Sequence, residues 1–370
     1  MRWLRCNQKG QAGLLVSLLS GMLLLWTALA GAVEPTAEDV EDAVALALKT
    51  EPGVPGESID VEVDGGIVTL TGSVGNILAK ERAARVAETV RGVRSTVNLL
   101  KVYAPARPDE GVKADVVQAL MTDPVSETWE VDVSVADGVV TLSGSVDSWR
   151  ERRIAERQAK SVRGVRDVRN EIRVTYTVDR ADEEIESEIK SALRWNPHID
   201  DGLIVVEVEN GSVTLRGSVG SAAEKRLAET RAWTAGVSGV DASRLRVVAW
   251  ARSEEFREGK YREKSDGEIR AAVRDAMIYD PRIDAYDIAI AANEGVVTLR
   301  GNVASLKAKR SAEQDARNTV GVWRVRSFLK VRPVEEDSDD EIAGAAREAI
   351  ARHAMLESDG IEVSVSDGEV

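Results

Sequence analysis

The sequence has one cysteine, two histidines and few aromatic residues, and each scarcity removes a class of chemistry. Cys6 precedes the first apolar run, so everything after it lacks thiols. No disulfide, thiol nucleophile or cysteine metal ligand is available there. His198 follows Pro197 in a loop and His353 comes late in a helical pattern, so the two read as solvated or capping residues. They form no cluster with metal-ligand spacing. Aromatics make up 4% of the chain, too few to line a large aromatic pocket. Glycine-rich turns occur without a phosphate-loop pattern, and the Asp-Gly and Asn-Gly turns lack the dense oxygen ligands of a calcium loop. The expectation is a protein with no catalytic residue, no metal and no cofactor.

What is present begins with a basic and then apolar leader. Arg2, Arg5 and Lys9 precede an apolar run from Ala12 to Ala30, with Ala-x-Ala cleavage options after Ala30 or Ala32. Residues 1–32 therefore read as a secretory signal, or as a retained anchor, since the run approaches the roughly 20 residues that span a bilayer. The net charge is −14; without the leader, 46 basic and 63 acidic residues remain, for −17. An acidic, exported chain is a poor candidate for nucleic acid. The hydrophobic fraction of 43% suits globular modules and excludes wholesale disorder.

The dominant pattern is repetition. Val68-Thr69-Leu70-Thr71-Gly72-Ser73-Val74 returns as Val140 to Val146, Val213 to Val219 and Val297 to Val303. The glycines Gly72, Gly144, Gly217 and Gly301 lie 72, 73 and 84 residues apart. In a strand, valine, leucine and glycine share one face and the threonines or arginines the other. The glycine is thus expected to be structural, allowing close backbone approach beneath a covering helix or a bend into the next one.

Around that strand the periodicity predicts helix, strand, strand, helix, strand. In the first copy Val40, Val44 and Ala47 mark a helix stopped by Pro52, and Ile59, Val61 and Val63 alternate as a strand. Asp64-Gly65-Gly66 signals a hairpin, and Ala79, Ala83, Val86, Ala87 and Val90 form one helical face before a Gly92 cap. The modules read as 36–104, 109–177, 181–249 and 265–333, with a charged, solvated linker at 250–264. A fifth, 337–370, opens with Ser338 and Glu341 as a capping box and stops at Val370, where the second strand is beginning. That half-module implies a truncated form of a longer protein, unless another chain completes it.

The Asp-Pro or Asn-Pro after the first helix, the Val-Thr-Leu-x-Gly-x-Val hairpin, and the pairs Gly92-Val93, Gly164-Val165, Gly236-Val237 and Gly321-Val322 together resemble the BON family. The resemblance implies an α+β fold of tandem αββαβ modules, each a three-stranded mixed sheet with two helices on one face. It also implies a non-enzymatic envelope or periplasmic protein linked to osmotic stress, and attachment to phospholipid or protein surfaces.

Charge is segregated. First helices begin acidic, whereas second helices carry Arg82 and Arg85; Arg150, Arg152, Arg153 and Arg157; and Lys307, Lys309 and Arg310. Trp149 starts the second helix of module two and Trp195 sits just before Asn196-Pro197, and such rings suit a headgroup boundary. These are the candidate lipid-binding residues, and several weakly binding modules would act together. The partners expected are therefore an anionic phospholipid membrane or envelope proteins. The alternative is a periplasmic chaperone or interaction scaffold whose sheet faces or edges hold client segments. The bland reading, solvated helix faces and dipole-complementing cations, explains part of the same pattern.

Overall fold

The computed structural model of the chain describes residues 35–123, 130–175, 180–252, 260, 263–278, 280–333, 337–357 and 360–370. The expected leader, Pro124 and most of segment 250–264 lie outside the described residues.

Module one runs α1 (Ala37–Thr50), β1 (Ile59–Asp64), β2 (Ile67–Val74), α2 (Ile77–Thr89), β3 (Ser95–Asn98) and β4 (Lys101–Val102). Module two repeats it as α3 (Asp109–Met121), β5 (Glu130–Ala136), β6 (Val139–Val146), α4 (Trp149–Lys160), β7 (Asp167–Asn170) and β8 (Arg173–Val174). Module three has α5 (Asp182–Arg194), β9 (Ile204–Glu209), β10 (Ser212–Val219), α6 (Ala222–Ala232) and β11 (Gly239–Val247). Module four has α7 (Asp266–Ile278), β12 (Ile288–Asn293), β13 (Val296–Val303), α8 (Leu306–Arg317) and β14 (Arg324–Val331), and α9 (Asp339–Arg352) opens the fifth. In each sheet the signature strand is central, antiparallel to the strand before it and parallel to the one after the second helix. The fold is α+β.

In modules one and two the third strand is broken, so those sheets have four strands. The cause is a side chain. Asn98 Oδ1 accepts the Leu100 N–H, and its amide donates to Lys80 O on the second helix. Asn170 does the same with Ile172 and Arg152. Asparagine competes with the ladder for backbone groups there. The partner of the same signature leucine in module four is Ser327, and β14 runs unbroken.

The two helices contribute different volumes to each core. First helices bury bulky residues at helical spacing: Val40, Val44 and Leu48 in module one, Ile185, Ile189 and Leu193 in module three. Second helices bury alanines four apart, as Ala79, Ala83 and Ala87 or Ala308, Ala312 and Ala316, so they lie close on the sheet.

The signature glycines have a different reason from the one expected. Gly72, Gly144, Gly217 and Gly301 all have positive φ, from 111° to 136°. A Cβ on any of them would fall under 3.0 Å from a backbone carbonyl oxygen, that of Ser58, Glu130, Leu203 or Asp287. The close approach is to the entry of the neighbouring antiparallel strand, not to a covering helix.

One repeated contact carries no signal in hydrophobic periodicity. The first residue of the first helix is an aspartate in modules two, three, four and five, and its carboxylate accepts two backbone N–H groups of the hairpin turn. Asp182 takes those of Asn210 and Gly211, at 2.7 and 2.9 Å. Asp109, Asp266 and Asp339 hold their turns alike. Module one has Ala37 there, and Gly65-Gly66 at the turn. Two charge-assisted bonds predict that Asp182→Ala lowers module-three stability by about 2–3 kcal/mol. Ala37→Asp should raise the thermal midpoint of module one. Denaturant melts of both variants check this; an unaltered Asp182→Ala would remove the clamp from the account.

Of the described residues in segment 250–264, expected to be a charged, solvated linker, Trp250 and Glu263 are exposed and two others are buried. Ala251 is fully buried and Lys260 nearly so. Lys260 Nζ donates to Leu193 O and Asp201 Oδ1, each at 3.0 Å, tying this residue to module three. Burial lowers the Lys260 pKa, and the Asp201 bond opposes it.

Candidate functional site

The second helices, expected to present separate basic faces, instead lie at joints between modules. Trp149, at the start of α4, stacks on Trp233 of module three with ring centroids 3.8 Å apart and 16° between planes. The Arg152 guanidinium lies 4.8 Å from the Trp149 ring centre and donates to Asn170 O. Neither Trp149 nor Arg152 is a free headgroup anchor. Arg150 pairs with Asp280 of module four at 3.6 Å, and Lys307 of module four with the buried Asp123 of module two at 3.3 Å. Lys160 reaches Glu81 of module one at 2.6 Å. Burial alone would lower the Lys160 pKa, but its bonds to Glu156 and Glu81 raise it. Arg226 of module three pairs with Glu88 of module one. The end of α9 joins the end of α4: Arg163 N–H donates to Arg352 O and Ala354 N–H to Ser161 O, each at 2.8 Å. His353, read as a helix-end residue, caps α9, and its Nδ1 accepts the Met355 N–H. Burial lowers its pKa.

Under this joint lies a buried charge cluster. Asp315 of module four has its pKa pushed up to about 7, by burial first and by the Asp280 carboxylate second. Arg150, Arg231 and Arg282, from modules two, three and four, oppose that rise without reversing it. Arg231 is itself lowered by burial and by Arg150.

Beside it is the feature with most functional content. The Arg157 side chain reaches solvent, yet partial burial pushes its pKa down first, and like-charge repulsion from Arg282, Arg153 and Arg85 adds to that. Glu81 is the carboxylate that counters them. Arg153 and Arg85 are also exposed, whereas Arg282 Nε is buried without a hydrogen-bond partner. Arg157 thus feels the charge of three further guanidiniums, which come from three modules. Mutual repulsion leaves such a group of cations poised for an anion with several acceptor oxygens.

The repeat, the topology and the signature hairpins all find their match in one family. The sequence profile of the BON domain matches residues 36–104, 108–176, 181–249 and 265–333. The chain belongs to the BON domain family. Osmotically-inducible protein Y of Escherichia coli (strain K12) is 34% identical over 140 residues, covering 35% of this chain and 68% of that protein. A structure of CdsD, a structural protein of the type III secretion system of Chlamydia trachomatis, aligns at 14% identity over 60% of this chain and 92% of its own. Its TM-score of 0.17 is too low to bear on fold or function.

Of the residues singled out by sequence, the BON modules bring Arg85, Arg153 and Arg157 together and place Arg150, Arg152 and Trp149 in the joint. Arg82 stays in module one, on Glu51 and Pro52 O. Lys309 and Arg310 lie on α8. Trp195 ends α5, with Lys264 5.9 Å from its ring centre and Val320 N–H donating to its carbonyl. Sequence reasoning missed Arg282, which sits in a loop two residues past Asp280 with no repeated pattern to flag it.

A cleft of about 730 Å³ between modules one and three is lined by Thr89, His198, Asp200, Glu224, Arg226 and Lys260. Its polar groups already serve the fold: Glu224 accepts the Asp200 and Gly220 N–H groups, and Lys260 is bonded as described. Among the described residues no three His, Cys, Asp or Glu side chains are placed to hold a metal ion. No described helix is long and apolar enough to cross a membrane.

Proposed function

We propose that this chain is a non-enzymatic, exported BON protein of the cell envelope, serving under osmotic stress and attaching to anionic phospholipid at the Arg85, Arg153, Arg157 and Arg282 cluster. The observation that carries the reading is the charge of three further guanidiniums, from three modules, felt by an Arg157 that reaches solvent. Family membership and the likeness to osmotically-inducible protein Y support the stress role. Multivalency here comes from modules contributing to one site as well as from linking several sites.

Each cation near an anionic surface contributes about 1 kcal/mol. The double variant Arg153→Gln/Arg157→Gln should therefore weaken binding to anionic vesicles roughly thirtyfold. Co-sedimentation of the full chain with neutral and anionic vesicles, at low and high salt, tests it. Binding to anionic vesicles alone, weakened by salt and by the double variant, is expected. Binding to unfolded protein that survives high salt and both substitutions would instead support a chaperone.

A further inference from the structure

The outer sheet faces, those away from the helices, differ between modules in a way the core does not require. Module two sets four carboxylates, Glu130, Asp132, Asp167 and Glu171, against two cations, Arg169 and Arg173, and its strands carry no exposed large hydrophobic side chain. Module three pairs Glu207 with Arg216 and sets Asp241 near Arg244 and Arg246. Modules one and four each combine an unbalanced charge with exposed apolar side chains.

On module one, Asp60, Glu62 and Asp64 of β1 lie opposite Thr71, Thr69 and Ile67 of β2. All three carboxylates are exposed, with Lys101 the one strand cation on that side. The third-strand edge adds Val97, Leu99 and Tyr103, which are 41%, 57% and 67% exposed. On module four, the three strands contain no Asp or Glu at all. Register puts Arg326 beside Thr298, Phe328 beside Arg300 and Lys330 beside Asn302, and Arg324 and Arg332 continue the row. Phe328 is 53% exposed with the Arg300 guanidinium 4.6 Å from its ring centre. Trp323, 69% exposed, is pinned just before β14 by its indole N–H on Glu294 O. One face is thus acidic with an apolar edge, and the other is cationic with the exposed ring of Phe328, while Trp323 lies at the hairpin end of that sheet. Within the chain neither covers the other, because both are open to solvent.

We propose that the outer sheet face of module one docks on the outer sheet face of module four of a second copy. Two sheets stack face to face at about 10 Å, a spacing that interdigitating side chains fill. The carboxylates of β1 meet the cations of β13 and β14, and Phe328 covers Val97, Leu99 and Tyr103. Complementary potentials set the register and repel the wrong pairings, module one on module one or module four on module four. The contact uses different patches on the two partners, so it propagates into an open chain of copies or closes into a ring. It does not involve the guanidinium cluster and does not rest on the lipid reading.

The test is the oligomeric state of the full chain by sedimentation velocity over a concentration series. Two charge-reversed variants are made on exposed strand positions: Asp60→Lys/Glu62→Lys/Asp64→Lys, and Arg324→Glu/Arg326→Glu/Lys330→Glu. Thermal melts confirm that each is folded. Wild type should associate with rising concentration, less so in high salt, and each reversed variant should stay monomeric. Mixing the two variants should restore association, because the native module-four face of the first variant still meets the native module-one face of the second, and the two reversed faces complement each other. The Arg153→Gln/Arg157→Gln variant should associate like wild type. A wild type that stays monomeric to its solubility limit, association untouched by either reversal, or a mixture that fails to associate would each overturn the proposal.

Discussion

Gly144→Ala is expected to unfold module two, although it adds one methyl group. Its φ of 117° is one that a side chain rarely adopts, and the new Cβ would be driven into Glu130 O of the paired strand. Strain of this kind costs about 1–3 kcal/mol by itself. The backbone clash adds to it, because β5 and β6 must separate to relieve it. We expect a loss of more than about 4 kcal/mol, in the range reserved for a named structural fault. The consequence should spread. Module two touches module one through Lys160, module three through Trp149, module four through Arg150 and Asp123, and the start of module five through Arg163. A denaturant melt followed by tryptophan fluorescence should show an early transition that includes the Trp149–Trp233 stack. An unshifted melt would defeat the close-approach explanation for all four signature glycines.

The second large effect is a pH dependence of the inter-module joint, centred on Asp315. Its folded pKa of about 7 lies above the ordinary carboxylate value of 3.8. Between those values the folded state holds a proton that the unfolded state has released. Stability from this group therefore falls as pH rises from about 4 to 7, and levels off above 7. Full expression of the shift would be worth up to about 4 kcal/mol. The wild-type joint should be firmer at pH 5 than at pH 8. Asp315→Asn mimics the protonated acid and keeps the volume, so it should raise stability at pH 8 and flatten the slope. Melts of wild type and variant across pH 5–8 read this directly. A slope unchanged by Asp315→Asn would place the titration elsewhere, His353 being the next group to examine.

Much of this protein is local in origin. Alternating valine and leucine around a glycine, with helical spacing before and after, specified the αββαβ order, because burial within one module depends on period 2 against period 3.6. The Asp-Gly and Asn-Gly turns were legible for the same reason: both central residues need positive φ, as Asp137 with Gly138 and Asn210 with Gly211 show. The aspartate clamp was within reach of sequence only as a recurring 28- and 29-residue spacing, since Asp182 and its turn meet through the fold.

The partner of the solvent side of each second helix was not legible. The pattern that marks Ala155 and Ala159 as core leaves Arg150, Arg152, Arg153 and Arg157 as one basic stripe. Only tertiary packing divides that stripe, sending Arg150 to Asp280 and Arg152 over Trp149, and leaving Arg157 exposed among Arg153, Arg85 and Arg282. The physical reason is range. Periodicity records which side of an element is buried, an effect of neighbours three or four residues away. A charge pair between modules spans 130 residues from Arg150 to Asp280, and nothing in the local pattern favours that partner over any other carboxylate.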